Sequence, residues 1–324
     1  MTIEPYSSCR RSEWDSFVRD SKNATFLFLR DYMDYHGSRL RDYSLIVRDD
    51  KGHIVALLPG HLAGSTYLTH GGLTFGGFLT DTSMKLPLLL RVFDATLTRL
   101  SGEGVARVLY KPIPHIYHRV PAEEDRYALF LAGAHWVRSG MLAVLTKGSR
   151  PAYQERRRRS IRKAKERGLE IRRTEDYAAY WRVLSDLLRE RFGAQPVHTL
   201  DEIQGLRTRL PDNIELHVCF EGSEMLAGIV VYRSDKVARA QYIASTSEGR
   251  AAGALDLLTD HLINSEYAAV DYFDLGTSDE EGGKVLNEGL MDQKEGYGAR
   301  SVALDQYSID LTSWRAGTVA GALR

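Results

Sequence analysis

Residues 214–235 read IELHVCFEGSEMLAGIVVYRSD, two apolar runs flanking the polar turn EGSE, and this arrangement predicts an antiparallel hairpin. A third β-rich run, ARAQYIASTS (238–247), comes next. A helix-like stretch from Ala251 to Tyr267 then leads to AVDYFDLGTS (269–278), a fourth strand. The order is βββαβ, and it recurs upstream. There DYSLIVRDDKGHIVALLPGHL (42–62) carries two strands about the turn DDKG, and LTHGGLTFGGFL (68–79) supplies the third. An apolar-periodic stretch from Met84 to Leu100 crosses over to ARVLYKPIP (106–114). The copies start roughly 170 residues apart, too far for a solenoid repeat, and predict two similar mixed α/β domains. KGSRP breaks the pattern, which puts the first domain at 1–150 and the second at 151–324. Leu131 to Thr146 reads as a strand closing the first sheet.

The 324 residues are 43% hydrophobic, enough for ordinary buried cores in about two domains. No apolar run is long enough to span a bilayer, and MTIEPYSSCRRSEW lacks the order of a signal peptide, so a cytoplasmic protein is expected. Cys9 and Cys219 stand far apart, without metal-type spacing. His115 and His118 lack a carboxylate or cysteine companion, so no metal is expected. Lysine plus arginine equals aspartate plus glutamate at 43 each, which argues against a general nucleic-acid coat.

Against that balance, RRRRSIRKAKERG (156–168) places eight basic residues in twelve positions. At 100° per residue Arg156, Arg159, Lys163 and Arg167 share one side of a helix whose apolar stripe, Tyr153, Ile161 and Ala164, is thin. Like charges one turn apart repel, so the segment is either a solvated face partly neutralised by Glu155 and Glu166, or a polyanion-binding helix.

Further along, alternation in VDYFDL puts Val270, Tyr272 and Asp274 on one strand face, with Asp274 near the strand's C-terminal end, where sites in α/β sheets concentrate. Asp274 there can accept a proton from an attacking amine or cap the following turn. In KVLNEGLMDQKEGYG a helix would bring Asn287, Leu290, Met291 and Lys294 to one face. Lys294 is alternatively a surface residue paired with Glu288 or Asp292. Tyr297, between Gly296 and Gly298, can donate a hydrogen bond or plug the core. The glycines of THGGLTFGGF permit close approach of a ligand or a bulged strand.

Three stretches, RRRRSIRKAKERGLEIR, LAGIVVYRSDKVARAQYIASTS and DYFDLGTSDEEGGKVLNEGLMDQKEGYGAR, together resemble the FemAB-like branch of the GNAT acyltransferase superfamily, which includes the FemABX aminoacyltransferases of peptidoglycan synthesis. In organisation the resemblance spans about Trp14 to Leu311. It implies an α/β (α+β) chain of two tandem GNAT-like mixed-sheet domains and an acyltransferase acting without a covalent intermediate. The implied reaction moves an acyl or aminoacyl group to an amine on a phosphate-containing acceptor, such as a nucleotide-linked amino sugar or cell-envelope precursor. The donor is expected to be acyl-CoA, with aminoacyl-tRNA as the alternative. A silent RNA- or nucleotide-binding protein of the same fold is a further alternative.

On this resemblance Lys294 lies in the substrate cleft and stabilises a phosphate or the oxyanion of the tetrahedral intermediate. Asp274, Lys294 and Tyr242 are the catalytic candidates, with a carboxylate, a tyrosine or water relaying the proton. Arg156, Arg159 and Lys163 would grip donor phosphates. Arg250 and Gly253 belong to RAAGAL, matched to the superfamily's pyrophosphate pattern Q/R-x-x-G-x-G/A, from which Leu255 departs. Tyr110 and Lys111, in a segment that lines the acceptor cleft in Fem-like proteins, join Asn287 and Tyr297 as acceptor-binding candidates. The long paired-helix arm of some Fem enzymes is missing between Asp176 and Leu210.

Overall fold

In the computed structural model, which describes residues 1–37 and 39–323, the chain divides into two units, Met1–Gly140 with Ala303–Arg324, and Met141–Val302. The sequence places the division at 150/151 and gives the second domain the whole C-terminal segment. The structure returns that segment to the first unit for a physical reason. Its strand pairs there, the Asp94 carboxylate accepts the Gly317 and Val319 amides, at 2.8 and 2.9 Å, and Val319 is fully buried.

The first unit comprises β1 (Thr2–Pro5), α1 (Arg11–Asp20), α2 (Arg30–Met33), β2 (Leu45–Arg48), β3 (Ile54–Leu58), β4 (His61–Ala63), β5 (Thr66–Leu68), α3 (Leu86–Gly102), β6 (Arg107–Tyr110) and α4 (Glu124–Leu131). The next strand, β7 (His135–Thr146), leads into the second unit. β1, β2 and β3 form an antiparallel sheet. The DDKG turn is held by Asp49, whose carboxylate accepts the Lys51 and His53 amides, both at 2.9 Å. β5 lies parallel to β6, and α3 makes the crossover between them. Residues 69–79 are not the expected third strand. They are turns packed close to the core, where a Cβ on Gly77 would meet the Tyr110 hydroxyl at 2.6 Å.

The second unit continues with α5 (Glu155–Glu166), β8 (Glu170–Thr174), α6 (Tyr177–Phe192), α7 (Leu200–Arg209), β9 (Ile214–Glu221), β10 (Glu224–Arg233), β11 (Val237–Ser245), α8 (Ser247–Ala252), α9 (Ala254–His261), β12 (Tyr272–Thr277), β13 (Asp279–Glu280), β14 (Val285–Leu286), α10 (Glu288–Glu295) and β15 (Arg300–Asp310). The end of β15 lies in the first unit, antiparallel to β6 with Tyr307 opposite Tyr110. Strand order in the second unit is β7-β12-β11-β10-β9-β8, antiparallel throughout except for β11 with β12.

Alternation along these strands sorts the core. Ala227, Ile229, Val231, Ala238, Ala240, Phe273 and Leu275 face α5 and α9, where Ile161, Ala164, Leu257 and Leu258 meet them. The opposite face packs on α6, which touches β10 and β11. The parallel strand, helical crossover, parallel strand unit is therefore present twice, as β5-α3-β6 and as β11-α8-α9-β12.

Candidate functional site

β11 and β12 are in parallel register only where Val237, Ala238 and Arg239 face Tyr272, Phe273 and Asp274. Beyond Arg239, β11 stays with β10, while β12 follows β7 through a bulge that carries Gly276 at φ +74°. Asp274 is fully buried at this parting. One of its oxygens accepts the Gly276 amide at 2.7 Å and the other accepts Arg239 Nη1 at 2.6 Å. Of the two roles the sequence leaves open, this geometry favours the turn-holding one.

Lys294 reaches the same bulge from α10. Its ammonium donates to the carbonyls of Gly276 and Thr277, at 3.1 and 2.6 Å. Burial pushes its pKa down to about 8; the Asp274 charge works against that shift and the Arg239 charge adds to it. Glu288 and Asp292 are not its partners, and Asp292 pairs with Arg156. Asn287 stands one residue before α10, outside the helix, so its side chain serves the helix end and not the face that carries Lys294. Asn287 is the N-cap, accepting the Leu290 amide at 3.0 Å and donating to Glu280 at 2.8 Å.

Tyr242 sits on β11 past the parting, on the α6 face. A bulge puts it there. Val231 pairs with Ala240 but Val230 pairs with Tyr242, so Gln241 is the extra residue and Tyr242 comes into phase with Val230. Its hydroxyl is bonded to His198 Nδ1, and the Trp181 ring stands edge-on at 5.1 Å. His198 was not singled out in the sequence, because GAQPVHTL (193–200) has no periodicity. The signal available was Thr199 with Glu202, a capping box that fixes its neighbour.

Residues 152–281 match the family model described as an acetyltransferase (GNAT) domain. The second unit carries a GNAT acetyltransferase domain, and the chain is an acyltransferase. Among solved structures, FemX is similar at 14% identity with a TM-score of 0.69, covering 97% of this chain and 98% of that one. L-PGS from Bacillus licheniformis is similar at 13% identity and TM-score 0.59, covering 95% and 93%. A tandem GNAT protein from the clavulanic acid biosynthesis pathway follows at 11% identity and TM-score 0.53, covering 97% and 99%. The fold is thus the FemX-like tandem GNAT fold. No curated protein matches the sequence significantly.

In this GNAT domain the RAAGAL segment is tightly packed. Gly253, at φ +81°, joins α8 to α9, and Arg250 bonds the Ser245 carbonyl at 2.8 Å. The basic helix α5 lies across this turn and is largely engaged by the fold. Asp256 receives Arg157 at 2.5 Å, Ser160 at 2.6 Å and the Tyr297 hydroxyl. Lys163 donates to the Ala251 carbonyl at 2.9 Å, and Arg156 pairs with Asp292. Arg159 is exposed and has no partner among the described residues. Tyr297 combines both roles foreseen for it: it is buried against Tyr153 and bonded to Asp256, so it is a core plug and not an acceptor contact.

In the first unit Tyr110 is buried, with its hydroxyl accepting the Phe78 amide at 2.8 Å and donating to Asp125 at 2.9 Å. That makes it a packing residue rather than an acceptor contact. Lys111 holds the His70 and Leu73 carbonyls, at 2.8 and 2.5 Å, and burial pushes its pKa down to about 8. Glu215, His217 and Glu266 of the GNAT domain lie close enough to share a metal ion. Glu215 is already engaged there by Arg173 at 3.0 Å, and by Tyr267. Among the described residues no helix is long and apolar enough to cross a membrane.

Proposed function

We propose that the chain moves an acyl or aminoacyl group to an amine on a phosphate-containing acceptor, a nucleotide-linked amino sugar or cell-envelope precursor. The observation that carries this reading is the parting of β11 and β12 directly beside the buried Lys294 ammonium. The parting brings a charged donor, held on two carbonyls, to the place where the strands separate, suited to an oxyanion that forms as the amine adds to the donor carbonyl. GNAT domains generally use acyl-CoA, and acyl-CoA is the leading donor.

A specific feature keeps aminoacyl-tRNA in view as the alternative donor. Thr246 caps α8 by accepting the Gly249 amide at 2.9 Å, so one amide of the crossover turn is already used. Arg159, the unpaired member of the basic helix, with Arg156 and Lys163 beside it, is the candidate contact for phosphates of either donor or of the acceptor.

A thermal-shift comparison of acetyl-CoA, aminoacyl-tRNA and UDP-sugars tests the reading, since a ligand at 100 times its Kd stabilises by about 2.7 kcal/mol. A shift with acetyl-CoA and release of free thiol on adding an amine acceptor is the expected result. A shift with tRNA alone transfers the donor role to it. A shift with none of the three overturns the reading.

A further inference from the structure

We propose that Tyr242 and His198 are the proton relay of the transfer, with Tyr242 meeting the amine and His198, as a positioning residue, taking up the phenolic proton; this rests on the acyltransfer reading above. The pair is built into the sheet and not left on a loop. The Gln241 bulge turns Tyr242 to the α6 face, beyond the point where β11 and β12 separate. His198 is fixed from two sides, by Trp181 Nε1 donating to its carbonyl at 3.1 Å and by the capping box of Thr199 and Glu202 that follows it. Both members are buried, at 3% and 8% exposure. Burying a phenol and an imidazole together costs desolvation that a leucine–phenylalanine pair of similar shape would avoid.

A second observation points to a ligand at this cluster. Tyr180, next to Trp181 on α6, has a fully buried hydroxyl with no hydrogen-bond partner among the described residues. Its ring packs on Gly228, where a Cβ would sit 2.4 Å from Cδ2, and meets the Trp181 ring edge-on at 5.9 Å. A buried polar group left unsatisfied by the fold calls for something that uses it. Asp274 is a poorer proton acceptor than this cluster, because both its oxygens are engaged at the bulge. The titratable and charged groups on the elements packed around the pair include Tyr180 on α6, Tyr232 on β10, Asp201 and Glu202 in the first turn of α7, and the Arg239–Asp274 pair on β11 and β12.

The step balances without further reagents. The amine nitrogen bonds to the donor carbonyl carbon and gives a proton to the Tyr242 oxygen, while the Tyr242 proton passes to His198 Nδ1. When the bond to the leaving thiolate or alkoxide breaks, the leaving atom takes a proton from Tyr242 and His198 returns its own.

The first test needs no substrate. Long-range nitrogen NMR of the full chain, with His198 identified through His198→Gln, reads which ring nitrogen carries the proton. A neutral ring protonated on Nε2, whose Nδ1 signal moves in Tyr242→Phe, is expected. A ring protonated on Nδ1 at pH 7 to 8 would overturn the relay. The second test follows acetyl-CoA consumption with UDP-glucosamine as probe amine. Tyr242→Phe should lower kcat by roughly two to four powers of ten with KM little changed. His198→Gln keeps a hydrogen-bond acceptor but carries no proton, so it should not restore the rate; full activity in it would reduce His198 to a spacer. Normal turnover in both variants sinks the relay and leaves the acyltransfer reading standing. If wild-type protein ignores acetyl-CoA, the donor reading fails and the tautomer still decides the pair.

Discussion

Gly253 and Ser160 are in direct apposition: a Cβ on the glycine would stand 2.6 Å from the Ser160 carbonyl oxygen, with φ at +81°. The basic helix is therefore seated on the turn between α8 and α9. Gly253→Ala should lower stability by about 1–3 kcal/mol through clash and strained backbone together. Gly52→Ala, at φ +86° with nothing within 4 Å, isolates the strain part and should cost less. Urea unfolding of the two variants checks the difference, and equal losses would mean that α5 yields freely.

Within α5 the arginines should separate by role. Arg157→Gln removes a partner from partly buried Asp256, which keeps Ser160 and Tyr297, and should cost about 1–3 kcal/mol, less than a fully buried pair. Arg159→Gln should leave the unfolding midpoint unchanged and reduce the salt dependence of binding to a phosphate-bearing ligand. Unchanged salt dependence would remove Arg159 from the binding site.

Lys294 ties rate to pH. As an oxyanion donor it acts protonated, so kcat with acetyl-CoA should fall as pH rises through about 8, the value to which burial brings it. Lys294→Met should lower kcat by roughly two to three powers of ten and abolish that alkaline limb. Stability runs the other way. The unfolded lysine, at 10.5, binds more protons than the folded one between about 8 and 10.5, so stability contributed by this group rises with pH across that window. Unfolding of wild type and Lys294→Met from pH 7.5 to 10.5 measures it.

Glu215 supplies the acid counterpart. Burial alone would raise its pKa, but hydrogen bonds from His217 and Tyr267 and the Arg173 charge bring it from 4.5 down to about 2. A depressed folded value means stability present above pH 4.5 and lost progressively as pH falls toward 2. Glu215→Gln should flatten that part of the acid-unfolding curve, and an unaltered curve would show that the network adds nothing.

Local signals were readable where the residues themselves set the backbone. The EGSE hairpin appears with Gly222 at φ +59°, and the basic run is a helix. THGGLTFGGF was not, because its apolar residues fill a core while its glycines admit neighbouring side chains, a tertiary cause with no local pattern. At the site, Lys294 reaches the bulge that Asp274 holds, yet no local pattern marks that Asp274 is spent on Arg239 and Gly276. Asn287 shows the one-residue sensitivity of helix starts: a shift of the first turn converts a face residue into a cap. His198 depends on a pairing 44 residues away in sequence, which no window could register.

The return of Ala303–Arg324 to the first unit bears on synthesis of the chain. The ribosome must deliver the intervening Met141–Val302, on the order of ten to thirty seconds of elongation, before the strand that pairs with β6 exists. Throughout that interval the nascent first unit waits with one sheet edge open and without the Val319 side chain its core requires, so the second unit can finish folding before the one that began first. A stop codon that removed Val319 would then injure the earliest-made half of the protein.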